Sequence, residues 1–295
     1  MDRYNNIGFL RLLFASFVIV GHAPELIDGN RTREPLTCIF HTLSLGEISV
    51  DAFFLLSGYL ITASATRSPS ITDYFSRRIS RIYPAYTSAF LILMFVLGPC
   101  LGIKPEPILE IILRILLLQP PDNTTQLAPL HYQNLDGAMW TISYEFHCYL
   151  FLALLNMYGF CRRRHLMAII ATILAVAAFG ATYDNPKAVL HSLWCAHPIT
   201  RLLTIGEPTA ALRLTSIFML GSIAFLYNKE IKSWLGPREA LACMLLGTIL
   251  LFNRHTAELG LSTAGGLALF WLAIKANLGP LRQINKDFDI RVFCD

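Results

Sequence analysis

Eight stretches of this sequence are long and apolar enough to lie across a lipid bilayer, and no other feature constrains the fold as strongly. They fall at 7–26, 46–66, 82–102, 139–160, 166–183, 209–227, 238–253 and 259–275. A hydrocarbon core of about 30 Å takes about 20 helical residues to cross. Since that layer holds no water, the backbone of a lone apolar segment must satisfy its own N–H and C=O groups, and a helix does so. The sequence therefore predicts an all-α, polytopic integral membrane bundle of about eight transmembrane helices, forming one domain over residues 1–295. Composition excludes the alternatives. Hydrophobic residues make up 54% and charged residues 15%, against about 25% charged in soluble domains. A soluble fold this apolar would expose large patches, and low-complexity tracts are absent.

The first run keeps Arg11 and His22 inside it and has no small-residue cleavage site after it, so it is expected to stay as a helix. The net charge of +4 sits in short basic clusters beside apolar runs, where it signals topology rather than nucleic-acid binding. Arg77, Arg78 and Arg81 form one cluster and Arg162, Arg163 and Arg164 another. Both belong on the cytoplasmic side, so an even number of crossings separates them. The runs at 82–102 and 139–160 supply two, which leaves 107–119 as an interfacial or re-entrant segment on the outer side. With a cytoplasmic N-terminus, His22, Asp51 and Glu145 all fall in the outer leaflet. The seven cysteines are scattered and suggest neither a disulfide framework nor a metal site.

Ionisable side chains inside spans cost at least about 2–3 kcal/mol each and mark function by default. Arg11 and His22 are eleven residues apart, which returns them to one helical face about 16 Å apart along the axis. His22 alone is equally compatible with a simple interhelical hydrogen bond. Asp51 opens the second run and needs a partner, for which His22 is the expected candidate. Ser57 and Gly58 read as packing residues. Arg78 and Arg81, at i,i+3, share one face if their segment is helical, a pattern suited to phosphate because guanidinium groups bind phosphate bidentately and stay charged; arginines that merely flank a span under the positive-inside rule read the same way. Glu145 lies below the interfacial Trp140 and Tyr144, and its bland reading is an ion pair with a neighbouring helix, Arg213 for example. His191 and His197 have no metal-ligand spacing, and no hydrolase, nucleotide or zinc fingerprint occurs.

In order, four segments resemble the membrane-bound acyltransferase 3 family, which O-acylates envelope and secreted glycans. LRLLFASFVIVGH carries Arg11 and His22 at the family spacing; VDAFFLLSGYLI carries Asp51; RRISRIYPAY carries Arg77, Arg78 and Arg81; and WTISYE ends on Glu145. Together they cover residues 3–150. Two departures stand out. Phe146 and His147 occupy the place of a frequent second carboxylate, and the family has about ten spans, so residues 286–295 are expected to mark a truncation before the last two.

The resemblance implies a catalytic group of His22, Asp51 and Glu145, with His22 as general base or covalent acyl carrier. It implies acyl-CoA binding, acetyl-CoA first, by Arg78, Arg81, Arg11 and, less directly, Arg77. Acyl-CoA is then a co-substrate, with no bound cofactor or metal, and the acceptor is a glycan or lipid-linked saccharide. The expected location is the bacterial inner membrane. Two rival readings remain: a transporter or flippase whose Arg11, His22, Asp51 and Glu145 form a path, and an inactive truncated remnant.

Overall fold

The computed structural model describes residues 6–121, 138–182 and 206–276. All regular structure among them is helical, so the protein is an all-α membrane bundle. Its elements are α1 (Ile7–Asp28), α2 (Pro35–Phe40), α3 (Leu45–Ala65), α4 (Ile71–Cys100), α5 (Ile108–Leu117), α6 (Trp140–Met157), α7 (Arg164–Gly180), α8 (Pro208–Leu226), α9 (Asn228–Trp234), α10 (Pro237–Leu250) and α11 (Arg254–Ile274). Each of the eight apolar runs lies on a helix. Five of these helices, α1, α3, α4, α8 and α11, have both the length and the apolar composition of a span. The remaining runs form α6, α7 and α10, with 18, 17 and 14 residues.

The centre of the bundle is the crossing of α3 and α8. Gly58 meets the carbonyl of Phe218, and Gly221 meets the carbonyl of Leu55, so closely that a Cβ at either position would overlap the opposing oxygen. The absence of a side chain at both points lets the two backbones touch, as small residues do between membrane helices. Gly58 is thus the packing residue that its sequence context predicts. Around the crossing, Tyr59 packs edge-on against Phe225 and lies beside Phe270, while Leu152, Met167 and Leu214 are fully buried.

Polar ties fix the elements around this core. Asn6, fully buried, donates through Nδ2 to the carbonyls of Leu272 (2.6 Å) and Ala276 (2.8 Å), clasping the start of α1 to the end of α11. Ser44 and Glu47 form a reciprocal capping box that starts α3, satisfying amide donors that helix geometry leaves free.

The start of the third span differs from the sequence reading. The arginine segment is helical and continuous with the third span, because the Ser70 hydroxyl accepts from the Asp73 amide (3.1 Å) and starts α4 at Ile71 rather than near 82. The 107–119 segment is a helix of 10 residues, about 15 Å long and half a bilayer. Arg114 pairs with Glu106 at 2.7 Å. Ile111 is buried against Tyr86 and Phe90 of α4, while Ile108, Leu109, Ile112 and Leu116 face outward. That one-sided pattern suits a segment lying in an interface.

α4 and α11 each contain a π-helical turn, at Leu93–Leu97 and Leu261–Gly265. Such wide turns often accompany functional sites, and the one in α11 faces the acidic residues described below.

Candidate functional site

The charged side chains of the interior form two groups at opposite ends of α3. At its C-terminal end, Arg78 is 6% exposed. Its Nη2 donates to the Ser64 hydroxyl (2.7 Å), and its guanidinium sits 5.8 Å from the Tyr74 ring centre and 5.9 Å from that of Tyr149. Those rings supply the favourable aromatic face that a desolvated cation needs. Arg77 pairs with Asp73 one turn earlier. Arg81 is half-buried, and its charge lies within electrostatic range of Arg11, Glu145 and Arg78. The spacing that puts Arg78 and Arg81 on one face therefore gives them different surroundings: Arg78 lies against two tyrosine rings, and Arg81 is half-buried in range of Arg11.

Glu145 belongs to this half. Its Oε1 accepts from the hydroxyls of Ser57 (2.8 Å) and Tyr149. Ser57 is twelve residues into α3, about 18 Å from the helix start. Glu145 thus lies past mid-depth, on the arginine side, and does not share a layer with His22 and Asp51 as the sequence suggests. Ser57 is more than a packing residue, since its hydroxyl holds the carboxylate. At the same end of the bundle, outside the spans, Glu230 in α9 is held below the usual carboxylate range, first by a hydrogen bond with its own backbone and then by one from Arg164.

The N-terminal end of α3 has the opposite character. His22 Nδ1 lies 3.3 Å from Glu25 Oε2 one turn on. In the tautomer with its proton on Nδ1, the imidazole donates to that carboxylate and leaves Nε2 free to accept a proton. Nε2 faces the start of α3, 3.9 Å from where a Cβ on Gly46 would lie.

Asp51 is 2% exposed, and its partner is Arg213 of α8, with Nη1 3.5 Å from Oδ1. The same Nη1 lies 3.5 Å from Glu258 Oε1 of α11. Three helices therefore meet at one buried guanidinium. This corrects two expected pairings: Asp51 is matched by Arg213 rather than His22, and Arg213 is taken by Asp51 and Glu258 rather than by Glu145. Arg213 lies within an apolar span, and that isolated charge is the signal for it. Glu25 and Glu258 carry no sequence pattern that singles them out. His191 and His197 lie outside the described residues, as do residues 286–295. Among the described residues, no cluster of His, Cys, Asp and Glu has the makings of a metal site.

Beside Arg213 a cavity of about 300 Å³ opens between the starts of α3, α8 and α11 and the end of α7. A second, largely apolar cavity of about 110 Å³ lies between α1, α3 and the π turn of α11, and Asp51 and Ser262 are its polar residues.

A helical membrane bundle with charged groups buried at both ends of one central helix defines the class: an integral membrane protein with a functional interior. The particular family follows from sequence comparison. A family model described as an acyltransferase domain matches residues 4–286, and the chain belongs to that family. Three curated relatives are similar to it. An O-acetyl transferase of Shigella phage Sf6 is 27% identical over 218 residues, covering 72% of this chain and 63% of the relative. Acyltransferase MdmB of Streptomyces mycarofaciens is 27% identical over 231 residues, covering 71% and 54%. Nodulation protein 10 of Rhizobium leguminosarum bv. viciae is 28% identical over 296 residues, covering 93% and 74%. The chain thus spans less than two thirds of the length of the first two. No solved structure matches it.

Proposed function

We propose that the protein is a membrane-bound O-acyltransferase that moves an acyl group, acetyl first among candidates, from cytoplasmic acyl-CoA to a hydroxyl of an envelope or secreted glycan. The observation that carries this reading is the sorting of charge along α3, with guanidinium groups at one end and a carboxylate-held histidine at the other, in a chain of the acyltransferase family. The arginine end faces the cytoplasm of a bacterial inner membrane, in keeping with the positive-inside rule. Arg81 and Arg11 take the phosphates of the donor. Arg78, stacked between Tyr74 and Tyr149, supports them from below, and Arg77 contributes long-range charge. Glu145, held by Ser57 and Tyr149, keeps the arginine side chains apart and oriented.

At the outer end, Nε2 of His22 removes the proton from the acceptor hydroxyl as its oxygen attacks the thioester carbonyl. The carbon–sulfur bond then breaks, and the proton passes from the imidazolium to the departing thiolate. Glu25 holds Nδ1–H and stabilises the imidazolium between those two steps. Alternatively, His22 carries the acyl group itself between donor and acceptor. Asp51 takes a positioning role through Arg213.

Membranes containing the protein, supplied with labelled acetyl-CoA on the arginine side, test the reading. Label transferred to an envelope polymer, and lost in His22→Ala, supports it. Uptake or export of label without transfer would overturn it in favour of a transporter.

A further inference from the structure

The cavity of about 300 Å³ at the acidic end is walled by Glu47, Glu207, Arg213, Arg254 and Glu258 together with Thr209. Its volume is at the lower bound for small-molecule sites. Arg213 is the telling member. Its side chain is 14% exposed, yet its two ion contacts are both 3.5 Å long, and among the described residues its guanidinium makes no hydrogen bond. Behind it, neither carboxylate oxygen of Asp51 has a hydrogen bond. A guanidinium carries five N–H donors, and desolvated polar groups left without partners are costly. Buried hydrogen-bonding capacity is thus unspent at the wall of a cavity large enough to hold a ligand.

The kind of ligand follows from the mixture of charges. Three carboxylates face two guanidinium groups across the cavity, and Asp51 adds a fourth carboxylate beneath. An anionic ligand would satisfy the arginines and meet a surplus of like charge. A hydroxyl group, which donates and accepts at once, satisfies both kinds of wall. The cavity also borders the start of α3, which His22 faces through Gly46.

We infer that this cavity is the acceptor subsite, and that it takes an uncharged polyhydroxylated ring while discriminating against acidic sugars. The inference rests on the acyl-transfer reading for the name of the ligand, but not for its chemistry. The acidic end thus selects a neutral substrate as the arginine end selects an anionic one.

A cysteine placed in the wall tests this without relying on catalysis. The protein carrying Ala178→Cys, in detergent micelles, is treated with N-ethylmaleimide, and the added label is followed by mass against the parent chain. Neutral trisaccharides at millimolar concentration are expected to slow the labelling at least fivefold, while trisaccharides of uronic acids and CoA leave it unchanged. Equal or better protection by the uronates, protection by CoA alone, or protection by none of them overturns the inference. Thr209→Cys repeats the measurement from the opposite wall should Ala178→Cys fold poorly. An absence of acetyl transfer in parallel assays counts against the proposed reaction and leaves the protection result standing.

Discussion

The two ends of α3 solve the problem of charge in a membrane in different ways. At the arginine end the cations come largely from one helix, within five residues of sequence, and are settled by aromatic rings and hydroxyls: Arg78 on Tyr74, Tyr149 and Ser64, and Glu145 on Ser57 and Tyr149. At the acidic end the groups come from separate helices, and a single guanidinium serves two carboxylates at 3.5 Å. One end is closely packed around its cation, although among the described residues Arg78 Nε keeps no hydrogen bond; the other opens on a cavity. On the proposed reading, the first end holds a fixed anionic group and the second admits a varying neutral one.

Four single variants, one of them with a second substitution as a rescue, break or sharpen that contrast. The largest effect is expected at His22. His22→Ala should reduce acyl transfer about 10²–10⁴-fold, the usual worth of a positioned acid–base group, with insertion and donor binding intact. Transfer of labelled acetyl at the wild-type rate would remove His22 from the chemistry. Next comes Arg213→Met, which leaves Asp51 buried without its cation and Glu258, at the cavity wall, without its neighbour. Such a loss costs about 3–5 kcal/mol, read as a fall in thermal stability in detergent. Adding Asp51→Asn should restore part of that loss, and a stable single variant would show that the acidic end needs no counter-charge.

Arg81→Ala tests the opposite end. It should raise KM for acetyl-CoA about tenfold, the scale of one lost charge-assisted hydrogen bond, with KM for the acceptor unchanged. A change confined to the acceptor KM would reverse the assignment of the two ends. The smallest effect belongs to Asn6→Ala, away from both groups. Loss of the clasp between α1 and α11 should cost about 1–2 kcal/mol in thermal stability while both KM values hold. An altered donor KM would mean that the clasp also sets the position of Arg11.

This contrast also explains what the sequence reveals. The apolar runs, the Arg11–His22 stripe and the arginine repeat are local patterns, and helix geometry alone converts them into faces and depths. The start of α4 is marked by the pairing of Ser70 with Asp73, but hydropathy alone begins that run only at 82, past the arginines. The partnership of Asp51 with Arg213 is hidden by 161 intervening residues and depends on how α3 and α8 cross. Glu25 falls at the end of the first apolar run as a single carboxylate with no pattern around it, and only the course of α1 through Pro24 to Asp28 sets it one turn from His22. The depth of Glu145 was misplaced for a similar reason. Counting from Trp140 puts it near one surface, and only its bond to Ser57 shows the level it reaches in the bundle.

The glycine crossing of α3 and α8 makes α3 a ruler. With Gly58 and Gly221 in backbone contact, α3 cannot slide along α8 without a clash. The level of Ser57, where Glu145 is held, and the level of Gly46, where His22 waits, stay eleven residues apart, about 16 Å on a helix. In the proposed reaction, the acyl group must cover that interval on its own carrier. A donor bearing its acyl group at the tip of a slender arm reaches the histidine while its phosphates remain with the arginines. A compact donor such as acetyl phosphate, held at the same arginines, falls short of the base by most of that length.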